Sequence, residues 1–162
     1  MDKVDKIIEQ WNQEWPDLDV TSMGLIGRFK RITQCLSLEM AKTFTEYGLN
    51  PANFDVLATL RRSGPPYELS PNDLIASTMV TSGTMTNRID QLIKAGLVER
   101  VQNKNDRRSV VVSLTKKGFT IIDQTLKAHV ETQSRLTSGL TEGDIKKLNV
   151  LLRKFMMSLE NQ

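Results

Sequence analysis

Cysteine and histidine are almost absent from this chain: Cys35 and His129 stand alone. One thiol makes no intramolecular disulfide, and one thiol with one imidazole makes no zinc cluster. Long apolar runs are missing too. No stretch approaches the ~20 residues that a membrane span needs. Met1 to Gln10 sets Asp2, Asp5 and Glu9 among its apolar residues, unlike a secretion signal. A reducing cytoplasm is the expected compartment. Aromatics make up 6%, so any core is chiefly aliphatic. Charge of one sign is in small excess, with a formal net charge of +3. That permits contact with phosphate without requiring it, and where the positive charge sits decides the matter. The sequence has no glycine-rich phosphate loop, no nucleophile arrangement containing His and no metal-ligand spacing. The paired carboxylates Asp17 and Asp19 fall on a connector. Neither an enzyme, a cofactor nor a metal site is expected.

What is present is an ordinary globular balance: 162 residues, 39% hydrophobic and 25% charged. Val4, Ile7, Ile8 and Trp11 recur at helical spacing, and Pro16 ends that short helix. Leu25, Phe29, Ile32, Leu36, Met40, Phe44 and Tyr47 then form one long apolar stripe, stopped by Gly48. Asn50-Pro51 opens a helix with Phe54, Leu57 and Leu60 facing inward, and Gly64-Pro65-Pro66 breaks it. Ser70 caps a short helix. Thr81 caps another that runs to Lys94, with Gly96 as its stop. Leu97 to Gln102 and Val110 to Leu114 read as two strands around a polar turn, 103–108. Thr115 and Thr141 cap two further helices, the last carrying Ile145, Leu148, Leu152, Phe155 and Leu159 on one face. The expected fold is mainly α with a small β-hairpin wing, a winged helix-turn-helix. Long one-sided helices at both ends are best buried by intertwining two copies into a symmetric homodimer. Three segments follow: 1–48 and 116–162 for dimerisation, and 49–115 as the winged lobe.

Over Thr81 to Ala95, Met85, Ile89, Leu92 and Ile93 share one side of the helix. Gly83, Thr84, Asn87, Asp90, Gln91 and Lys94 lie opposite, with Ser82, Thr86 and Arg88 on the flanks. Small residues let a helix approach a major groove. Asn and Gln pair bidentately with adenine, Arg with guanine, and Thr methyls meet thymine. Ser82 and Thr84 can donate to phosphate near the helix N-terminus. A solvated polar face explains this helix alone equally well. The preceding short helix and the basic turn of Lys104, Arg107 and Arg108 favour double-stranded DNA. An Arg at such a tip suits a narrow minor groove, and Asp106 can hold Arg108 by a charge-assisted hydrogen bond. An ordinary charged turn is the alternative for the tip.

Gly96-Leu97-Val98-Glu99-Arg100, Asp106-Arg107-Arg108, and Leu114-Thr115 with Gly118 resemble the MarR family of winged-helix regulators. The resemblance covers most of the chain and is densest from Ser70 to Gly118. It implies repression at a pseudo-palindromic operator, a dimer made by the terminal helices, and a wing salt bridge between Asp106 and the minor-groove Arg108.

A narrower resemblance starts at Trp11 and runs through Pro16-Asp17-Leu18-Asp19 to Gly27-Arg28. It is similar to the urate-responsive branch of that family, in which an extra N-terminal helix lays a Trp over a pocket. The matching positions are Trp11, Asp55, Arg88 and Arg100; Trp15 stands where the branch often has Arg. A planar anionic or aromatic ligand such as urate would stack on Trp11 and pair with Arg88 or Arg100, while Asp55 would repel it or lose its own Arg partner. Trp11 as a core residue and Asp55 as an exposed charge are the plainer readings. Two other functions stay open: a winged-helix protein-interaction module, and a redox-responsive regulator working through Cys35. Against the latter, Cys35 beside the apolar stripe reads as a buried, inert thiol, and His129 as a packing or surface residue. Met156 and Met157 read as core filler near a dimer interface.

Overall fold

The structure is a computed structural model that describes residues 1–78, 81–103 and 109–161. In chain order its elements are α1 (Lys3–Glu14), α2 (Thr21–Glu46), α3 (Pro51–Arg62), β1 (Glu68–Leu69), α4 (Pro71–Thr78), α5 (Ser82–Lys94), β2 (Val98–Gln102), β3 (Val110–Leu114), α6 (Lys116–Thr137) and α7 (Glu142–Glu160). The helix starts are set by short polar side chains that satisfy free amides. Asn50 accepts from the Asn53 amide at 2.8 Å, with Pro51 in the first helical position. Ser70 and Asp73 cap α4 reciprocally, at 3.1 and 3.2 Å. Thr141 and Asp144 do the same for α7, while Thr81 and Thr115 cap α5 and α6 by accepting the Thr84 and Gly118 amides. Gly48 and Gly96 end α2 and α5 with φ near +70°, a conformation that costs a side-chain-bearing residue energy and glycine nothing.

The sheet is antiparallel with strand order β1-β3-β2. β2 and β3 pair from Val98↔Leu114 to Gln102↔Val110. The hairpin was expected; the third strand was not. β1 pairs Glu68 with Ser113 and Leu69 with Val112. Two residues after a double proline carry too little alternation to read as a strand.

The core lies in the lobe made by α3, α4, α5, the sheet and the start of α6. Val56, Leu57, Leu60, Leu74, Met85, Leu92, Val112 and Ile122 are fully buried there. Each such side chain contributes about 2 kcal/mol relative to exposure. α6 runs on from this lobe to pack along α2, where Thr43 and Thr132 bond through their hydroxyls at 2.8 Å. α1 lies on the first half of α2.

The stripe of α2 divides. Phe44 is buried, whereas Leu25 and Ile32 are more than half exposed. α7 buries no residue in its own chain. Met156 and Met157, expected as core filler near a dimer interface, are 59% and 56% exposed in the single chain. Cys35, expected to be buried, is exposed as well, because no described residue covers its side of α2. No described helix is long and apolar enough to cross a membrane.

Candidate nucleic-acid interface

α5 is held by three of the four side chains its periodicity predicts, with Ile93 only partly buried. Met85 and Leu92 are fully buried and Ile89 is 1% exposed. That anchoring, worth several kcal/mol in gross burial, fixes which face points out. Ser82, Gly83, Thr84, Thr86, Asn87, Asp90, Gln91 and Lys94 are all exposed, and Arg88 is half-buried. The outer face is internally ordered. The Thr81 and Thr84 hydroxyls meet at 2.9 Å. Thr86 donates its hydroxyl back to the Ser82 carbonyl at 3.0 Å, which leaves its methyl free to meet a thymine. Gln91 and Asn87, one turn apart, approach at 3.5 Å, so two amides lie side by side.

The turn from α5 through β2 to α6 is knotted at one point. Thr115 donates to the Gly96 carbonyl at 2.8 Å and accepts from the Gly118 amide at 3.0 Å. Lys117 reaches the Ala95 carbonyl at 2.9 Å. Residues of two motifs far apart in sequence therefore fix the end of α5 against the start of α6. The hairpin closes with Asn103 donating to the Ser109 carbonyl at 3.0 Å. The expected wing contacts Lys104, Asp106, Arg107 and Arg108 lie outside the described residues.

The four residues matched to a ligand pocket are spread over four elements. Trp11 is on α1, 39% exposed, beside a recess lined by Ile7, Gln10, Gln13 and Glu14 of that same helix. Asp55 is exposed on α3. No hydrogen bond or ion pair among the described residues joins Trp11, Asp55, Arg88 and Arg100. Arg100 instead binds Asp90 of α5 at 2.8 Å. Of the ionic features missed in the sequence, which include Arg61–Asp123 and Arg135–Glu39, two involve Arg100 or the helix that carries Trp11. One is this pair. The other is Arg28, which bonds Asp2 at 2.8 Å and also Asp5, tying α1 to α2. Both pairs are non-local, and only the helical register of Asp90 and Arg28 hinted that they face a neighbour. The described residues hold no cluster suited to a metal ion.

His129 is partly buried in this arrangement. Its ring lies 5.2 Å from Phe44 and 5.0 Å from Phe54, centroid to centroid. Burial lowers its pKa from the ordinary value. It is a packing residue between α2, α3 and α6.

Known proteins resemble this chain in architecture and in sequence. The model of the MarR family matches residues 47–109, which hold the helix-turn-helix and the first strand of the hairpin, β2. The HTH-type transcriptional regulator PecS of Dickeya dadantii is 38% identical over 159 residues, spanning 98% of this chain and 96% of PecS. A cysteine-to-serine mutant of MarR from E. coli, solved in complex with operator DNA, superposes with a TM-score of 0.71 at 27% identity. That match covers 90% of this chain and 96% of MarR. BpsR of Bordetella bronchiseptica, whose DNA binding is regulated by 6-hydroxynicotinic acid, shares the fold. Its TM-score is 0.70 at 24% identity, over 86% of this chain and 96% of BpsR. The chain belongs to the MarR family: it is a DNA-binding helix-turn-helix transcriptional regulator and not an enzyme.

Proposed function

We propose that the protein is a homodimeric repressor that binds a pseudo-palindromic operator and is released by a small anionic ligand. The observation that carries this is the outer face of α5: hydroxyls, two adjacent amides and a flanking guanidinium, on a helix anchored by Met85, Ile89 and Leu92. Asn87 and Gln91 read base edges, Arg88 takes a guanine or a phosphate, and Ser82, Thr84 and Thr86 fit against backbone and thymine methyls. Lys104, Arg107 and Arg108 of the wing take phosphates and the flanking minor groove, with Asp106 steadying Arg108. Half-sites about one helical turn apart follow from two such helices. The lobe of residues 49–115 reads DNA, and residues 1–48 and 116–162 dimerise. Support for a dimer comes from the exposed apolar residues of α2 and α7.

The ligand reading rests on the sequence match of Trp11, Asp55, Arg88 and Arg100, and on BpsR as a fold relative that answers to an anionic heterocycle. A planar anion such as urate would draw Arg100 or Arg88 away from its present place and shift the balance between lobe arrangements. The deciding experiment is a gel shift on DNA upstream of the protein's own gene, titrated with urate and with 6-hydroxynicotinate. Retarded DNA that either anion releases in the wild type but not in Trp11→Ala supports the whole reading. Retardation that neither anion affects removes the ligand. Undiminished binding by Arg108→Ala removes the wing contact.

A further inference from the structure

DNA presents about one negative charge per 1.7 Å of its axis, so a carboxylate on a DNA-facing helix is a liability. α5 carries one, Asp90, on the same outer face as Asn87, Gln91 and Lys94. Lys94 follows one turn later on that helix, yet the ion pair of Asp90 runs elsewhere. Its Oδ1 accepts from Nη2 of Arg100 at 2.8 Å, and Arg100 comes from the middle of β2. Both side chains are about half exposed. Ion pairs this wet add little to folding stability, so the pair is poorly explained as a brace. Its main consequence is electrostatic: a negative site on the reading face is cancelled by a cation delivered from the wing strand.

We propose that Arg100 is a positioning residue of the DNA interface, whose work is to neutralise Asp90 on α5. The inference rests on α5 being the DNA-reading helix. Wing strand and recognition helix then meet the duplex without a bare carboxylate between them. An agent that captures the Arg100 guanidinium exposes Asp90 to the phosphates and weakens binding by repulsion, with no need for a large movement.

The test is a charge cycle, read by fluorescence anisotropy on a duplex that the wild type selects from a random pool. Arg100→Gln leaves Asp90 bare and weakens binding about fivefold to tenfold at ~0.1 M salt. Adding Asp90→Asn to it restores affinity to within about twofold of wild type. Asp90→Asn alone binds at least as tightly as wild type, with a steeper salt dependence, because Arg100 is freed. Arg100→Lys keeps the charge and stays within about threefold. Urea unfolding midpoints of all variants check that the fold persists. The proposal is overturned if the double variant stays as weak as Arg100→Gln with a salt slope shallower by about one, since Arg100 then touches phosphate itself. It is also overturned if Asp90→Asn relaxes the preference at one base pair, since Asp90 then reads a cytosine amino group. A wild type that selects no duplex overturns the DNA face of α5 first, and the cycle with it.

Discussion

Gly118 opens α6 directly against the backbone of Leu97. A Cβ built on it falls 2.0 Å from the Leu97 carbonyl oxygen and 3.0 Å from the carbonyl carbon. Backbone cannot swing aside as a side-chain tip can, so the first turn of α6 would have to lift, and the Thr115 cap with it. Gly118→Ala is expected to cost about 2–3 kcal/mol, measured by urea unfolding; unchanged stability would falsify the close approach. His129 supplies the second residue-scale prediction. Its Nδ1 is buried and bonded by no protein group, and burial alone lowers its pKa from the ordinary 6.5. The unfolded chain therefore binds the proton more readily than the folded one. Stability from this site is fully present above about pH 6.5 and is lost as pH falls through that value towards the lowered folded one. Wild type should lose more stability than His129→Gln between about pH 7.5 and pH 5.5. Equal losses would place the acid sensitivity elsewhere.

At the scale of elements, α1 is seated by a charged clasp and a close helix crossing. Asp2 caps α1, accepting from the Val4 and Asp5 amides at 2.6 and 3.0 Å, and its other oxygen takes Nε of Arg28. Beneath the clasp, Val4 and Ile8 lie against Gly24 and Gly27 of α2, positions where any side chain would meet them. The Asp5 amide first, and Arg28 after it, holds the Asp2 carboxyl below its ordinary value. The seam is therefore firm above the usual carboxylate range and weakens as pH falls through it. Arg28→Gln should speed hydrogen exchange in α1 while leaving α5 unaltered. No change would mean that Val4 and Ile8 suffice. The contrast with α5 shows what was legible. Caps such as Thr81 and Thr115 act within three residues, and Met85, Ile89 and Leu92 repeat at the helical period, so both could be read along the chain. Arg28 with Asp2, and Arg100 with Asp90, pair residues whose proximity only the fold creates. The two-residue β1 exists because β3 is there to bond it. Burial was misjudged for Cys35 because an apolar stripe tells that a partner is needed but not whether the same chain provides it.

The whole molecule makes that last point quantitative. Leu25 and Phe29 of α2 and Leu148, Leu151, Leu152 and Phe155 of α7 line one apolar groove of about 390 Å³. Phe29 and Phe155, 5.6 Å apart, join its walls. Leu151 is 63% and Val150 68% exposed. A contiguous apolar surface of this kind marks an interface rather than a finished exterior, and in the proposed homodimer a second copy closes it with matching chemistry. Leu151→Asp changes a residue that is exposed in the single chain, so the chain should still fold with its helical circular dichroism intact, while its unfolding midpoint falls by what the dimer contributed. Sedimentation at micromolar concentration should nevertheless show a monomer where the wild type is a dimer. Operator affinity should then fall about a hundredfold or more, because the second half-site is no longer bound at the effective concentration that linkage provides. The salt slope should fall to about half, since half the phosphates are neutralised. Asn87→Ala separates the two causes: it should weaken DNA binding with the dimer and the salt slope intact. A Leu151→Asp protein that remains dimeric would assign the groove to another occupant and move the dimer contact away from α7.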